Sequence, residues 1–110
     1  MSLDITLYYI IDGNNIEVYN RNITHNLNKM AMEAEVYEEL WRPDEIDINK
    51  ASELINPIAI ALKDIKSNPD KYKKLNPENG WGTYEGFVKF VQEYLDACIK
   101  YPNAHIIADR

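Results

Sequence analysis

The sequence predicts an α+β fold in which about three helices pack on one face of a three-stranded antiparallel sheet. We expect the element order ββααβ, with an N-terminal hairpin, a C-terminal strand and an extra helix before that last strand. Two patterns lead to this prediction. Residues 3–11 alternate with a period of two, which is typical of a strand, and residues 22–41 repeat apolar side chains every three or four positions, which is typical of an amphipathic helix.

The composition is that of an ordinary folded domain. The chain has 110 residues, of which 45% are hydrophobic and 27% charged, so one compact domain over residues 1–110 is expected. No apolar run approaches the roughly 20 residues that cross a bilayer, and the start lacks the pattern of a signal peptide. We therefore expect no membrane contact.

The net charge and the cysteine content restrict which classes of function are expected. The formal net charge of −6 makes nucleic-acid binding an unfavoured function, because covering phosphates needs clustered lysine and arginine. The charged residues from 33 to 47 are acidic except for Arg42, and those from 63 to 74 are mainly basic. Such patches would suit self-association or a charged partner, but we favour the alternative of a solvated surface. The lone Cys98 excludes an internal disulfide and fits a reducing, cytoplasmic compartment.

The hairpin is the clearest local feature. Residues 3–11 form the first strand, and the letters DGNN at residues 12–15 are types that tolerate the positive φ of tight turns. Residues 16–19 resume the alternation as the return strand.

Residues 22–41 are expected to form one continuous central helix. Asn22 or Thr24 can cap its start, and Pro43 ends it because proline disfavours helical geometry in the residue before it. The apolar stripe of this helix comprises Leu27, Met30, Ala31, Ala34, Tyr37, Leu40 and Trp41.

A second helix is predicted over residues 51–65, with Asn49 as its cap. Its apolar stripe keeps its register across Pro57, so we prefer one kinked, continuous helix to two separate ones. Proline at position 69 then starts one more turn, over residues 69–75.

The C-terminal part contains a loop, a helix and a strand. The loop NPENGWG covers residues 76–82, and Thr83 caps a helix over residues 84–101. The stripe of that helix includes Ile99 and leaves Phe90 at its margin. Residues 104–108 form the last strand, which should pair with the hairpin.

His25 and its neighbours Asn22 and Asn26 are the first candidate binding residues. The N-terminus of a helix presents free N–H groups and partial positive charge, which favours anions and a neutral imidazole. A neutral His25 could donate to a ligand oxygen, with the asparagines as further donors. The alternative, which we favour, is that these polar residues only cap the helix.

Trp81 is the other candidate binding residue, because aromatic side chains often anchor ligands and protein partners. The alternative, again favoured, is that Trp81 plugs back into the core while Gly80 and Gly82 let the backbone bend around it.

No metal, cofactor or catalytic site is expected. His25, Cys98 and His105 match no paired ligand spacing, and Glu35 and Glu39 have the pattern of a solvated helix face. The sequence contains no phosphate-binding glycine loop, nucleophile elbow or HExxH motif. We therefore assign no catalytic residue.

Three phrases carry a family resemblance: NITHNLNKMA at residues 22–31, YEELWRPDEI at residues 37–46 and NPENGWGTYEGFVKFVQEYLDAC at residues 76–98. They resemble a family of small, uncharacterised proteins encoded by bacteriophages and prophages. Some members carry cysteine pairs in the hairpin turn, whereas residues 12–15 have none, so no metal site is implied. The resemblance implies an accessory phage or prophage protein that acts inside a bacterial cell, and it implies no activity.

Two functions follow from these observations. The first is a binding or interaction module, with an unidentified protein partner, that uses a surface near His25 and Trp81. The alternative is a small enzyme or small-molecule binder in which His25 is the acid–base or hydrogen-bonding group. The oligomeric state stays open.

Overall fold

The structure, a computed structural model, describes residues 2–110. It has the α+β architecture that the sequence predicts. The strands are β1 (Ser2–Ile11), β2 (Asn14–Thr24) and β3 (His105–Asp109), and they form one antiparallel sheet in the order β2-β1-β3. The central strand is therefore β1, the one with the most regular alternation in the sequence.

A two-residue turn connects β1 to β2. Asp12 and Gly13 have φ values of +52° and +79°, and the residues on either side of them, Ile11 and Asn14, are paired. Positive φ at both central residues defines the hairpin turn whose twist matches that of the strands, and Asp-Gly is one of its preferred sequences.

The second strand is longer than predicted. It continues to Thr24 because residues 20–24 pair with the first half of β1, where Ser2 lies opposite Thr24. A bulge at Val18 shifts the register between the two halves of β2. Asn22 consequently lies in a strand, so the prediction that it starts the central helix is wrong.

The two faces of the sheet differ in burial. Leu3, Ile5 and Leu7 are fully buried beneath the helices, whereas Asp4 is exposed and Tyr8 half-buried on the other face. The helices thus lie on one face only, as predicted. Since β3 pairs only with residues 4–8 of β1, the far end of the hairpin extends beyond the third strand.

The predicted central helix is broken. Its place is taken by a 3-10 turn, His25–Leu27, and two short helices, α1 (Asn28–Glu33) and α2 (Tyr37–Trp41). Glu35, between the two helices, has φ of +57°. The prediction of one continuous helix is therefore wrong, although the apolar stripe still faces the core, with only Ala34 and Tyr37 partly buried.

The break has the hydrogen bonds of a Schellman motif. The N–H of Val36 donates to the carbonyl of Ala31 at 2.9 Å, and the N–H of Glu35 donates to the carbonyl of Met32 at 3.1 Å. Val36 and Ala31, which occupy the two positions that usually make an apolar contact in this motif, are both fully buried. The burial of Val36 thus favours ending α1 without glycine or proline.

The second predicted helix is continuous across Pro57. A 3-10 turn, Ala51–Leu54, runs directly into α3 (Ile55–Ser67), so Pro57 falls in the first turn of α3, where a missing N–H costs little. Asn49 does not cap this segment with its side chain. Instead the carboxylate of Glu53 accepts from the backbone N–H groups of Asn49 and Lys50, at 3.3 and 3.1 Å.

Two helices complete the layer that covers the sheet. The short α4 (Pro69–Lys73) buries Tyr72, and α5 (Tyr84–Lys100) packs against α3. Thr83 caps α5 as predicted, because its Oγ1 accepts from the N–H of Gly86 at 3.0 Å. Within residues 2–110, no helix is both long enough and apolar enough to cross a membrane.

The stripe of α5 is rotated slightly from the predicted one. Phe90 is fully buried and Ile99 is exposed. α5 contacts both α3 and β2, so its buried face is set by two neighbouring elements.

Candidate binding cleft

A polar cleft opens between the start of α1 and the loop that follows α4. It has a volume of about 690 Å³, within the range of small-molecule sites. A second depression of about 550 Å³ adjoins it, and Asn26 and Asn79 line both. We call the two together the Asn cleft. Its lining residues are Ser2, Asn22, Thr24, His25, Asn26, Asn28, Lys29, Lys74, Leu75, Asn76, Pro77, Glu78, Asn79 and Trp81.

The cleft contains all the candidate binding residues named from the sequence. His25 and Asn26 line the larger part, and Asn22, Asn26 and Trp81 line the smaller part. Segments that lie about fifty positions apart in the chain thus contribute to one surface.

The 3-10 turn that carries His25 is held by a cap. Oγ1 of Thr24 accepts from the N–H of Asn26 at 3.3 Å, so the predicted capping role of Thr24 is confirmed. His25, however, lies in a three-residue 3-10 turn and not in the first turn of a long helix. It therefore lacks the partial positive charge that the sequence analysis expected at a helix N-terminus.

His25 is instead fixed by Trp41. The indole Nε1–H of Trp41 donates to Nδ1 of His25 at 2.8 Å. Since an indole nitrogen only donates, Nδ1 must be the unprotonated nitrogen, and in the neutral ring the proton lies on Nε2. Trp41 is itself rigid, being 1% exposed and stacked on Tyr37 at 5.5 Å between ring centroids. His25 therefore presents a donor from a fixed ring.

Asn22 approaches the cleft from the sheet. Its side-chain amide donates to Oγ of Ser2 at 2.9 Å and to Oδ1 of Asp4 at 3.0 Å. These bonds occupy its two N–H groups, which leaves the amide oxygen as its free polar atom. Asn22 is thus an acceptor at this edge of the cleft.

Trp81 points to solvent, with 71% of its surface exposed. The interpretation of Trp81 as a plug for the core is therefore wrong. The neighbouring Gly82 has φ of +103°, and a Cβ there would lie 2.9 Å from Cγ2 of Thr24 and 3.0 Å from Leu27. The glycine backbone therefore packs closely against the turn that carries His25.

The asparagines of the loop are oriented by backbone N–H groups. Oδ1 of Asn76 accepts from the N–H of Tyr84 at 2.9 Å, and Oδ1 of Asn79 accepts from the N–H of Trp81 at 3.0 Å. Because each amide oxygen is occupied, the free groups of both side chains are N–H donors. The loop thus offers two fixed amide donors at the rim of the cleft.

Two lysines add positive charge to the same cleft. Lys29 belongs to α1 and Lys74 follows α4; both are exposed, and within residues 2–110 neither makes an ion pair. Glu78 is the acidic side chain that lines the described cleft. The sequence reasoning missed both lysines and the loop asparagines, because exposed polar residues leave no periodic pattern.

The acidic and basic segments of the chain partly neutralise each other. Nζ of Lys71 lies 3.6 Å from Oε1 of Glu33 and 3.6 Å from Oδ2 of Asp64. Asp64 also accepts a 2.5 Å hydrogen bond from the hydroxyl of Tyr72, which is the main cause of the lowered pKa of its carboxyl. These contacts reduce the free charge that either segment could offer in self-association.

The residues that could bind metal are separate. Among residues 2–110, no three side chains of histidine, cysteine, aspartate or glutamate are grouped as metal ligands. Cys98 is buried in α5, and burial raises the pKa of its thiol to about 12, which makes it a poor nucleophile near neutral pH. His105 stacks on Tyr8 at 5.3 Å, on the open face of the sheet.

Comparison of the chain with protein family models, with curated proteins and with solved structures gave no match. The sheet topology and the cleft lining define the protein as an α+β protein with a donor-rich surface cleft. The resemblance to the phage and prophage family stays a prediction based on the quoted phrases.

Proposed function

We propose that this protein is an accessory protein of phage or prophage type that acts in the bacterial cytoplasm as a binding module, and that the Asn cleft with Trp81 is its binding surface. The observation that carries the proposal is the exposure of Trp81, 71% of whose surface is open to solvent beside a polar cleft. Tryptophan is enriched at binding sites, because its large ring supplies contact area and its N–H a hydrogen bond. The origin and location rest on the family resemblance and on the lone cysteine.

The geometry of His25 favours binding over catalysis. A general base needs an unprotonated nitrogen that can reach the substrate. The unprotonated nitrogen of His25 is Nδ1, and it already accepts from buried Trp41. His25 therefore serves as a hydrogen-bond donor to the bound partner, and the small enzyme with a histidine base is the weaker proposal.

The concave shape of the Asn cleft favours a small molecule, rather than a protein, as the bound partner. A cleft of about 690 Å³ has room for a small ligand at the surface, whereas a protein partner would need a broader contact of about 800 Å² on this chain. A small ligand in the cleft or a protein segment anchored on Trp81 would both use the residues named above.

The test is a capture experiment with a matched control. Immobilised wild-type protein, Trp81→Ala and Ile60→Ala would be exposed to extracts of lysogenic or infected host cells, and bound proteins and metabolites identified by mass spectrometry. Ile60 is the control because it is equally exposed, at 72%, but lies on α3, outside the cleft. We expect Trp81→Ala to lose ligands that wild type and Ile60→Ala retain. Equal retention by both variants would refute the assignment of the binding surface.

A further inference from the structure

We infer that the Asn cleft takes a small anionic ligand of nucleotide type, with its phosphate at the lysine end and its flat ring on Trp81. The inference rests on the proposed function and names its ligand class. Its basis is the set of polar groups in the cleft that internal hydrogen bonds leave free.

The free groups of the larger part are mainly donors. Asn76 and Asn79 have their amide oxygens occupied by backbone N–H groups at 2.9 and 3.0 Å, and His25 has its acceptor nitrogen occupied at 2.8 Å. Each is left with N–H groups that water can solvate in the free protein and that can donate to a ligand. A ligand rich in oxygen acceptors therefore matches them better than a ligand rich in donors.

The lysines select for charge among such ligands. Lys29 and Lys74 come from the two elements that border the larger part, and Glu78 is the acidic side chain that lines it. Hydrogen bonds from ammonium groups to phosphate or carboxylate are stronger than those between neutral groups. The overall charge of −6 does not cancel this, because salt screens charges beyond about 8 Å under physiological conditions.

Trp81 selects for a planar group in the same ligand. It lines the smaller part, which joins the larger one at Asn26 and Asn79, and its indole is mostly exposed. A base stacks on an aromatic side chain whatever its identity, because every base has a π-face. A phosphate and a heterocycle in one molecule therefore match the two ends of the cleft.

The number of free cations limits the size of the ligand. Two lysines can pair with one or two phosphates, whereas a nucleic-acid strand needs a longer basic track for counterion release. A mononucleotide fits this limit, and it also agrees with the expectation that nucleic acid itself is not the partner.

The experiment is isothermal titration calorimetry of the full chain with the four ribonucleoside monophosphates. Adenosine and inorganic phosphate serve as the two fragments. We expect at least one monophosphate to bind, and to bind more tightly than either fragment. Lys29→Gln and Lys74→Gln should each weaken the monophosphate about tenfold and leave adenosine unchanged. Lys63→Gln, a change of an exposed lysine on α3, is the charge-matched control and should have no effect.

Trp81→Ala and Trp81→Phe test the other end of the cleft. Trp81→Ala should weaken the monophosphate by about tenfold or more, and Trp81→Phe by less, because phenylalanine still offers a ring. The emission of Trp81 should be quenched on binding, while buried Trp41 keeps its emission. Circular dichroism of each variant would confirm that the fold is intact.

Several results would overturn the inference. These are the absence of binding at millimolar monophosphate, equal weakening by Lys63→Gln, unchanged affinity in Trp81→Ala, or an affinity for single-stranded oligonucleotides that grows with their length. Any of them would leave the binding surface itself to be judged by the capture experiment, so the ligand class and the proposed function can fail separately.

Discussion

Glu35 gives a test in which the sign of the effect decides between two structures. In the structure this residue ends α1 with φ of +57°, a conformation that costs an L-residue about 1–2 kcal/mol and costs glycine almost nothing. Glu35→Gly should relieve that strain. Against it stands the greater freedom that glycine gives the unfolded chain, about 0.4–1 kcal/mol. The net expectation is that the free energy of unfolding rises by about 0.5–1 kcal/mol.

The assay is thermal and urea unfolding followed by circular dichroism. A gain of that size raises Tm by about 2–8 °C in a domain of about 100 residues. Glu35→Ala removes the carboxylate but keeps the Cβ, so it should leave Tm near that of the wild type and separates charge from backbone strain. Glu38→Gly, at an exposed position inside α2, should lower the free energy of unfolding by about 0.5–1 kcal/mol.

A continuous central helix predicts the opposite sign at Glu35. In that case residue 35 would be helical, and glycine there would destabilise the protein as much as it does at Glu38. Equal losses in Glu35→Gly and Glu38→Gly would therefore refute the Schellman motif and the break between α1 and α2.

Two further predictions concern the cleft loop and the core. Gly82→Ala should lower the free energy of unfolding by about 2–4 kcal/mol in urea titrations, since it combines positive φ with overpacking against its neighbours. Gly80→Ala, also at positive φ but with no atom within 4 Å of the added Cβ, should lose only about 1–2 kcal/mol, and equal losses would contradict the close approach of the loop. The thiol of Cys98, whose pKa burial raises to about 12, should resist a thiol reagent at pH 8 until the protein is unfolded. Because the folded thiol stays neutral, its contribution to the free energy of unfolding should be present below pH 9 and lost as the pH rises towards 12. Cys98→Ala should reduce this pH dependence. Rapid labelling of the folded wild type would contradict the prediction, because it would show that the thiol is accessible.

The local elements were predictable because short segments determine them. The alternation of residues 3–11 defines β1, and Asp12-Gly13 supplies the positive φ that a two-residue hairpin turn requires. Thr83 accepts the N–H of Gly86 and so begins α5 where the sequence indicates. In each case the deciding interaction joins residues only a few positions apart.

About half of the candidate site was also predictable. Asn22, His25 and Asn26 were predicted because they stand at the expected start of a central helix, and Trp81 because it is an aromatic residue between two glycines. The structure places all four in one cleft, although the helix start itself is not there. Lys29 and Lys74 were not named, since nothing in the sequence distinguishes them from other exposed lysines. Only the folded chain shows that they face the same cavity.

The sequence by itself therefore determined the class of fold, the hairpin and the cap of α5, all of which depend on local spacing and backbone preference. The tertiary structure decided the rest. Burial of Val36 ends α1, pairing with β1 extends β2 to Thr24, and Gly82 packs against the turn before α1 while Trp81 stays exposed. These outcomes depend on contacts between segments that are distant in the sequence. Local sequence patterns do not reveal the energies of such contacts.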